Sequence, residues 1–334
     1  MKAISYQHFG KPEDSLVYGE FTRPEPDAGE VLIRLATSGV NPSDVKKRSG
    51  LTLPNLLDDG PIIPHSDGAG VIEAVGTGVS RGRIGERVWV FSAQHKRPFG
   101  TAAEYITLPV NLVASLPDTA GFDIGACLGI PAMTAHHCVT AEGSVAGKTL
   151  LITGGAGRVG HYAIQFARLG GAKVIATAGS PHSREACLNA GADLVIGHPG
   201  EDSVDEIMEF TQDQGVDHVI EGDFAANLES LIDGIRVGGL ICTYASMSDM
   251  NPAIPFYRMM YRGLNLRFVF LYELPGNAIE LATQEINQAL EKHQLIHRIA
   301  ARLPLAQTAE AHHLIESGEP RGCVILEIAP DLLS

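Results

Sequence analysis

The chain has 334 residues, enough for about two domains, and 45% of them are hydrophobic, so it can bury a sizeable core. Its formal net charge of -14 argues against nucleic acid and against an anionic membrane surface as partners, because like charges repel. No apolar run reaches the roughly 18 residues of a membrane span, the N-terminus lacks the apolar core of a secretory signal, and the cysteines are widely spaced, so we expect a cytoplasmic protein with reduced thiols.

Residues 1 to about 122 are predicted to be rich in β-structure. Short β-branched runs are separated there by Gly and Pro clusters, a pattern typical of a barrel or a sandwich. The predicted strands are 31–36, 70–75, 87–91 and 103–108.

The pattern changes after Pro117, and between 123 and about 262 strands alternate with helices. The predicted strands are 149–153, 173–177, 193–196, 216–221 and 240–244, and the predicted helices are 161–169, 183–190, 202–213 and 226–237. This alternation predicts a parallel, doubly wound sheet. The remaining chain adds a predicted strand at 266–272, helices at 276–292 and 305–317, and a closing strand at 323–328.

A glycine loop joins the predicted strand 149–153 to the predicted helix 161–169. Its spacing is G-x-G-x-x-G, and the strand before it and the helix after it are the context that such a motif needs. Backbone N–H groups in this kind of turn approach a pyrophosphate at the positive end of the helix. The alternative is a turn in which glycine serves close packing alone. The residues predicted to bind a dinucleotide are Gly154, Gly155, Ala156, Gly157, Arg158, Val159 and Gly160.

The second strand of the predicted sheet indicates which dinucleotide is bound. In NAD sites an Asp or Glu ends this strand and accepts a hydrogen bond from the ribose 2′-hydroxyl. Here no acidic residue occurs before Glu185, whereas Ser180 offers a hydroxyl and Arg184 a positive charge for a 2′-phosphate. The pattern favours NADP(H), although Arg184 is explained equally well as a solvated helix residue.

Several further motifs occur in a characteristic order. They are Gly39-Val40-Asn41-Pro42-Ser43-Asp44, Pro64-His65-Ser66-Asp67-Gly68, Gly85-Glu86-Arg87-Val88 and Gly129-Ile130-Pro131-Ala132-Met133-Thr134-Ala135. With the glycine loop they resemble the medium-chain dehydrogenase/reductase superfamily, and most closely its zinc-independent, zeta-crystallin-like NADPH:quinone oxidoreductases. The resemblance covers nearly the whole chain. It implies an α/β protein with a GroES-like β-barrel catalytic domain at 1–122, an NADP-binding Rossmann domain with a doubly wound parallel sheet at 123–262, and a segment at 263–334 that returns to the catalytic domain.

The chain departs from the zinc-dependent members of this superfamily at both ligand positions. Asn41 stands where they have a Cys ligand and Ser66 where they have a His ligand. A catalytic zinc needs three protein ligands drawn from Cys, His and carboxylate, so no metal is expected. Without a Lewis acid, an acceptor that is already electrophilic is favoured. We therefore expect hydride transfer from NADPH to a quinone or an α,β-unsaturated carbonyl.

The resemblance also implies roles for individual residues. Asn41 would lie beside the nicotinamide and offer an amide N–H to the cofactor or the substrate oxygen. Many quinone reductases have a Tyr five residues later, where this chain has Lys46, which either donates to a developing oxyanion or lies on a solvated face. His198 replaces a Tyr beside the adenosine phosphate. The residues expected near the nicotinamide are Thr134, Tyr244, Val269 and Phe270.

Two other functions remain open at this point. One is an enoyl-thioester reductase or an alcohol dehydrogenase of the same superfamily. The other is a non-catalytic NADPH-binding protein, against which the residues on the nicotinamide side argue. The resemblance further implies a homodimer, formed through an edge of the parallel sheet near 240–244.

Overall fold

The computed structural model describes residues 1–198 and 200–333. The chain forms two compact units: unit 1 is Met1–Ile130 together with the chain from Thr283 onward, and unit 2 is Pro131–Ala282. The sequence placed the breaks at 122/123 and 262/263. In the structure the breaks lie at 130/131 and 282/283, and both are later in the chain than the sequence predicted.

The elements are numbered in chain order through both units. The strands are β1 (Lys2–Ser5), β2 (Val17–Glu20), β3 (Glu30–Val40), β4 (Asp67–Val75), β5 (Arg87–Val90), β6 (Tyr105–Pro109), β7 (Val113–Ser115), β8 (Thr149–Ile152), β9 (Lys173–Thr177), β10 (Leu194–Ile196), β11 (Val216–Glu221), β12 (Ile235–Thr243), β13 (Asn265–Phe268), β14 (Ile299–Pro304) and β15 (Cys323–Glu327). The helices are α1 (Pro12–Ser15), α2 (Pro42–Arg48), α3 (Phe122–Gly125), α4 (Thr134–Thr140), α5 (Arg158–Leu169), α6 (Pro181–Asn189), α7 (Glu201–Thr211), α8 (Phe224–Leu231), α9 (Phe256–Tyr261), α10 (Gly276–Glu291) and α11 (Thr308–Ser317). Within the described residues, no helix is long and apolar enough to cross a membrane.

Unit 1 is built on a sheet of seven strands in the order β14-β15-β3-β4-β5-β7, with β6 paired to β3. Strand β3 is the centre of this sheet and is buried over most of its length. It is longer than the predicted strand 31–36, because the polar end of β3 also pairs, Gly39 with Asp67 of β4 and Val40 with Val324 of β15. Side chains such as Ile33, Leu35 and Val88 form the core beneath the sheet.

Unit 2 contains a fully parallel sheet in the order β10-β9-β8-β11-β12-β13. Counted from β8 this order is 3-2-1-4-5-6, that of a doubly wound dinucleotide-binding sheet. Apolar side chains from the strands and from α7 and α8 form its core. In such sheets ligands bind beyond the carboxyl ends of the strands, where the strand order reverses.

The domain breaks differ from the sequence boundaries for a physical reason. The segment after Pro117 still packs on unit 1, where Thr37 Oγ1 donates to the carbonyl of Phe122 (2.6 Å) and the N–H of Ile130 donates to Asp67 Oδ2 (2.8 Å). The second break falls later because β13 completes the parallel sheet beside β12.

One predicted helix is shorter than expected. The stretch 226–237 was predicted to be helical throughout, but α8 ends at Leu231 and β12 begins at Ile235. Gly234 lies between the two, and the β-branched Ile235 pairs with Val216 of β11. Strand pairing thus overrides the helical periodicity of the last residues.

Candidate functional site

The glycine loop of unit 2 forms a tight turn at the carboxyl end of β8. Gly154 has a φ of 58°, in the left-handed region, and its N–H donates to Thr177 Oγ1 at 2.9 Å. The N–H of Gly155 donates to the carbonyl of Thr177 at 3.0 Å, and the N–H of Gly157 donates to the carbonyl of Gly154 at 2.8 Å. Gly157 is the residue that precedes α5. The loop is therefore fastened to the neighbouring strand β9 and directs the chain into the helix.

Glycine is required in this loop by close approach as well as by φ. A Cβ on Gly160 would lie 2.4 Å from the carbonyl oxygen of Gly154, and a Cβ on Gly155 would lie 2.9 Å from Cys187 Sγ. The first N–H groups of a helix have no acceptor within the helix, and in α5 they belong to Arg158, Val159 and Gly160. A turn of this shape, with N–H donors at the start of a helix, fits a dinucleotide pyrophosphate.

The residues expected at the adenosine end come together after β9 and β10. A Cβ on Gly179 would lie 2.5 Å from His198 Nε2, so the imidazole packs directly over this glycine. Ser180 precedes α6 and its Oγ accepts the N–H of Ser183 at 3.1 Å. Arg184 donates to the carbonyl of Val195 on β10. Arg184 is thus held against the sheet and is not merely solvated.

The residues expected on the nicotinamide side lie close to the ends of β12 and β13. Val269 is buried and its N–H donates to the carbonyl of Thr243 at 2.8 Å, whereas Phe270 is exposed. Burial raises the pKa of Tyr244 above its ordinary range, with a further contribution from Cys138 on α4. Thr134 is buried one turn before Cys138 on the same helix. The structure therefore brings these residues to one region of unit 2.

Sequence reasoning missed Glu221, which ends β11 next to the glycine loop. Its Oε1 accepts hydrogen bonds from Thr153 Oγ1 at 3.0 Å and from Asn227 Nδ2 at 2.8 Å. Burial raises the pKa of this carboxyl. The contacts hold the carboxyl ends of β8 and β11 together, and an acidic residue that ends a predicted parallel strand was the available signal.

Asn41 lies in unit 1, immediately before α2, and only 2% of it is exposed. Its N–H donates to Asp44 Oδ2 and its Nδ2 donates to Asp67 Oδ2, each at 2.8 Å. The N–H of Ile130 reaches the same Asp67 oxygen. Burial raises the pKa of Asp67 to about 8 and that of Asp44 to about 6.

The structure distinguishes two neighbouring lysines on α2. Lys46, the sequence candidate, is half-buried, whereas Lys47 is 6% exposed and its Nζ donates to Gln94 Oε1 at 2.8 Å. The spacing of Asn41, Asp44 and Lys47, three residues apart, was the signal for this, because residues at i and i+3 share a helix face.

Ser66, which stands where zinc-dependent relatives have a His ligand, is buried. Its neighbour His65 contacts His312 and Ser38. His65 Nε2 lies 2.9 Å from His312 Nε2, and His65 Nδ1 lies 3.0 Å from Ser38 Oγ. Burial lowers the pKa of His65 to about 3. An amide, a hydroxyl and the ammonium of Lys47 do not make a donor set for zinc. In the part of the chain that the structure describes, no group of three His, Cys, Asp or Glu residues is arranged to hold a metal.

Comparison with known proteins identifies the family. Residues 27–118 match the family described as alcohol dehydrogenase GroES-like domain, and residues 159–291 match the family described as zinc-binding dehydrogenase. The quinone oxidoreductase of Rattus norvegicus is 32% identical over 335 residues, covering 98% of this chain and 97% of the rat protein. The chain belongs to the quinone oxidoreductase family of the medium-chain dehydrogenase/reductases.

Solved structures confirm the expected fold class. A mycobacterial protein complexed with NADPH is 28% identical, with a TM-score of 0.87 over 98% of this chain and 100% of its own. An NAD-dependent alcohol dehydrogenase is also 28% identical, with a TM-score of 0.89 over 98% of this chain and 100% of its own. Unit 1 is the GroES-like domain of this quinone oxidoreductase family member, and unit 2 is its Rossmann-type domain.

Proposed function

We propose that the protein is a zinc-independent oxidoreductase that passes a hydride from NADPH to a quinone or an α,β-unsaturated carbonyl. The observation that carries the proposal is the pairing of an intact glycine loop with Asn41 and Ser66 at the two former zinc-ligand positions. The names of the relatives support it, since the rat protein is a quinone oxidoreductase and the mycobacterial protein was solved with NADPH.

The choice of NADPH over NADH rests on the surroundings of Ser180. No acidic side chain follows β9 before Glu185, and Ser180 stands at the start of α6, where the helix dipole favours an anion. His198 packs beside Gly179 at the same place. These groups suit a 2′-phosphate, and bound NADPH would supply the hydride.

Asn41 is the residue that we propose to hold the acceptor oxygen. An amide has two N–H bonds, and the one donated to Asp67 leaves the other for a carbonyl oxygen. Delocalisation in a quinone or enone spreads the charge that develops on that oxygen, so a hydrogen-bond donor suffices where a metal would otherwise be needed. Lys46 remains a proposed second donor.

The test is NADPH oxidation with a panel of quinones, enones, enoyl-CoA thioesters and alcohols, each after treatment with a chelator. Turnover with quinones or enones that survives chelation is expected. Turnover confined to enoyl-CoA thioesters, or alcohol oxidation that chelation abolishes, would favour the alternative enzymes. Binding of NADPH with no turnover on any acceptor would favour a non-catalytic binding protein.

We also propose a homodimer, formed at the β13 edge of the parallel sheet. The sequence predicted the edge near residues 240–244, but β12, which contains most of them, is flanked by β11 and β13. The edge strand is β13, and Phe268 on it is 71% exposed. Helix α9 presents Tyr261, which is 78% exposed, together with Phe256 and Tyr257. An exposed edge beside exposed aromatic side chains is typical of a contact surface. Light scattering that gives a monomer mass would refute the dimer, and Phe268→Lys is expected to break it.

A cytoplasmic location is proposed from the cysteines. All five are buried, and none of them forms a disulfide among the described residues, which fits a reducing compartment. Fractionation of cells that make the protein would test this, and recovery outside the cytoplasm would contradict it.

A further inference from the structure

The unusual side chain in unit 1 is the buried lysine. Lys47 ends a face of α2 that begins at Asn41 and includes Asp44, all three being buried. Lysine is almost never fully buried unless a charged partner is present. Its Nζ donates a hydrogen bond to Gln94 Oε1 at 2.8 Å, and this amide oxygen carries no charge.

Two carboxyl groups share this interior with Lys47. Asp44 is one turn away from it on α2, and Asp67 begins β4. Asn41 connects the two carboxyls, because its backbone N–H binds Asp44 Oδ2 and its side-chain Nδ2 binds Asp67 Oδ2. The charge of Lys47 acts on both, lowering the pKa of each against the opposing effect of burial.

Each carboxyl group is satisfied on one oxygen only. Among the described residues no hydrogen-bond partner reaches Oδ1 of Asp44 or Oδ1 of Asp67. Gly129 closes over Asp67 Oδ1, since a Cβ there would lie 2.1 Å from that oxygen. A proton on either Oδ1 would have no acceptor, and a negative charge on either Oδ1 would have no hydrogen-bond donor among the described residues. A cation that lowers the pKa of both carboxyls therefore affects how many protons the pair holds.

We propose that Lys47 is the internal counter-cation of the Asp44 and Asp67 pair, and that it sets how many protons the pair holds and so positions the amide of Asn41. Lys47 is a positioning residue in this account. Its effect on turnover rests on the proposed function, whereas its effect on the carboxyl pair does not.

Three other titratable groups around the pair, His65, Tyr6 and Cys127, are neutral, and the charged Arg48 is paired with Glu316. Burial lowers the pKa of His65, with the charge of Lys47 contributing, and the imidazole stays uncharged at neutral pH. Burial raises the pKa of the Tyr6 hydroxyl, which faces Asp44. The thiol of Cys127, which faces Asp67, is also held protonated. Arg48 turns to Gly10 and Glu316 instead.

The test is an infrared titration of the buried carboxyl groups in the native protein, Lys47→Met and Lys47→Arg. In Lys47→Met the midpoints at which the protonated-carboxyl bands disappear are expected to rise by about one to three pH units. Lys47→Arg keeps the charge and is expected to restore them towards the native values. Lys11→Met removes an exposed lysine of unit 1 and is expected to leave them unchanged. Asp67→Asn and Asp44→Asn assign the bands. Native midpoints in Lys47→Met would overturn the proposal, whatever the turnover.

A second measurement applies if Lys47→Met does not fold. The ¹⁵N resonance of Lys47 Nζ is followed against pH in the native protein and in Asp44→Asn. Loss of the Asp44 charge is expected to lower the midpoint of the ammonium, because Asp44 stabilises the charged lysine. An unchanged midpoint would overturn the proposal. Absence of turnover on every acceptor would count against the proposed function and leave both titrations intact.

Discussion

The glycine loop of unit 2 and the polar cluster of unit 1 are built in opposite ways. The loop consists of consecutive residues, and its contacts are mainly backbone to backbone, such as the N–H of Gly155 with the carbonyl of Thr177. The cluster joins residues from distant parts of the chain, among them Asn41, Asp67 and Ile130, and depends on side-chain charge. The structure of the loop depends on backbone geometry, whereas that of the cluster depends on the ionisation of its side chains.

This difference separates what each region tolerates. A Cβ added at Gly160 would collide with the backbone of Gly154, so the loop is sensitive to steric change at that position. The cluster is packed around buried charges and incompletely satisfied oxygens, so changes of charge or pH are its weakness. Substitutions that act on one region and spare the other can therefore test the comparison.

The largest effect is expected from Gly160→Ala in the loop. Its Cβ would lie 2.4 Å from the carbonyl oxygen of Gly154, so the turn must open and its N–H donors lose their positions. We expect NADPH affinity to fall about 100-fold, or about 3 kcal/mol, which calorimetry would measure. Gly276→Ala is the control, because a Cβ there meets nothing within 4 Å. Native affinity in Gly160→Ala would show that the loop is not the cofactor site.

The second effect is a pH dependence specific to the cluster. The pKa of Asp67 is raised to about 8 in the folded protein from an ordinary value of 3.8. Between these values the folded state keeps a proton that the unfolded state releases, so the free energy of unfolding falls as pH rises from about 4 to about 8. Asp67→Asn keeps an acceptor oxygen for Asn41 and removes this titration.

Unfolding by denaturant at several pH values checks this prediction. The native protein is expected to lose about 2 kcal/mol more than Asp67→Asn between about pH 5 and pH 7. Asp59→Asn, at an exposed position of unit 1, is the control and should follow the native protein. Parallel curves for the native protein and Asp67→Asn would mean that Asp67 does not titrate in this range.

Predictability from sequence follows the same division. The parallel, doubly wound sheet of unit 2 and the loop at Gly154–Gly160 were predicted, because their signals are local: apolar runs, glycine spacing and the helix after them. Asn41 was also a candidate from the sequence, because the resemblance implies that it lies beside the nicotinamide. Lys47 and Gln94 were missed, since their meeting depends on the path of the chain between α2 and the segment after β5. Lys46 was preferred to Lys47 because the resemblance aligns Lys46 with a Tyr of many quinone reductases, whereas the spacing of Lys47 from Asn41 and Asp44 was not used.

A third effect separates turnover from cofactor binding. Asn41→Ala removes the side-chain hydrogen bond to Asp67 Oδ2. It also removes the N–H that we propose to bind the acceptor oxygen. We expect kcat to fall about 10-fold, with NADPH affinity within about 2-fold of native, because the contact proposed for Asn41 is with the acceptor oxygen and not with the dinucleotide. Stopped-flow kinetics and calorimetry would measure both. Loss of affinity equal to the loss of kcat would mean that the two regions are not independent.

The smallest effect is expected at Ser180 and tests which dinucleotide the loop serves. Ser180 caps α6 through the N–H of Ser183, and we propose that it also meets the 2′-phosphate. Loss of the cap acts on NADPH and NADH alike, whereas loss of a phosphate contact acts on NADPH alone, so the ratio of the two affinities isolates the contact. Ser180→Ala is expected to lower that ratio about 5-fold, and Ser180→Thr, which keeps the hydroxyl, should preserve it. An unchanged ratio in Ser180→Ala would leave Ser180 as a helix cap only and would shift the discrimination to His198, which packs on Gly179 beside it.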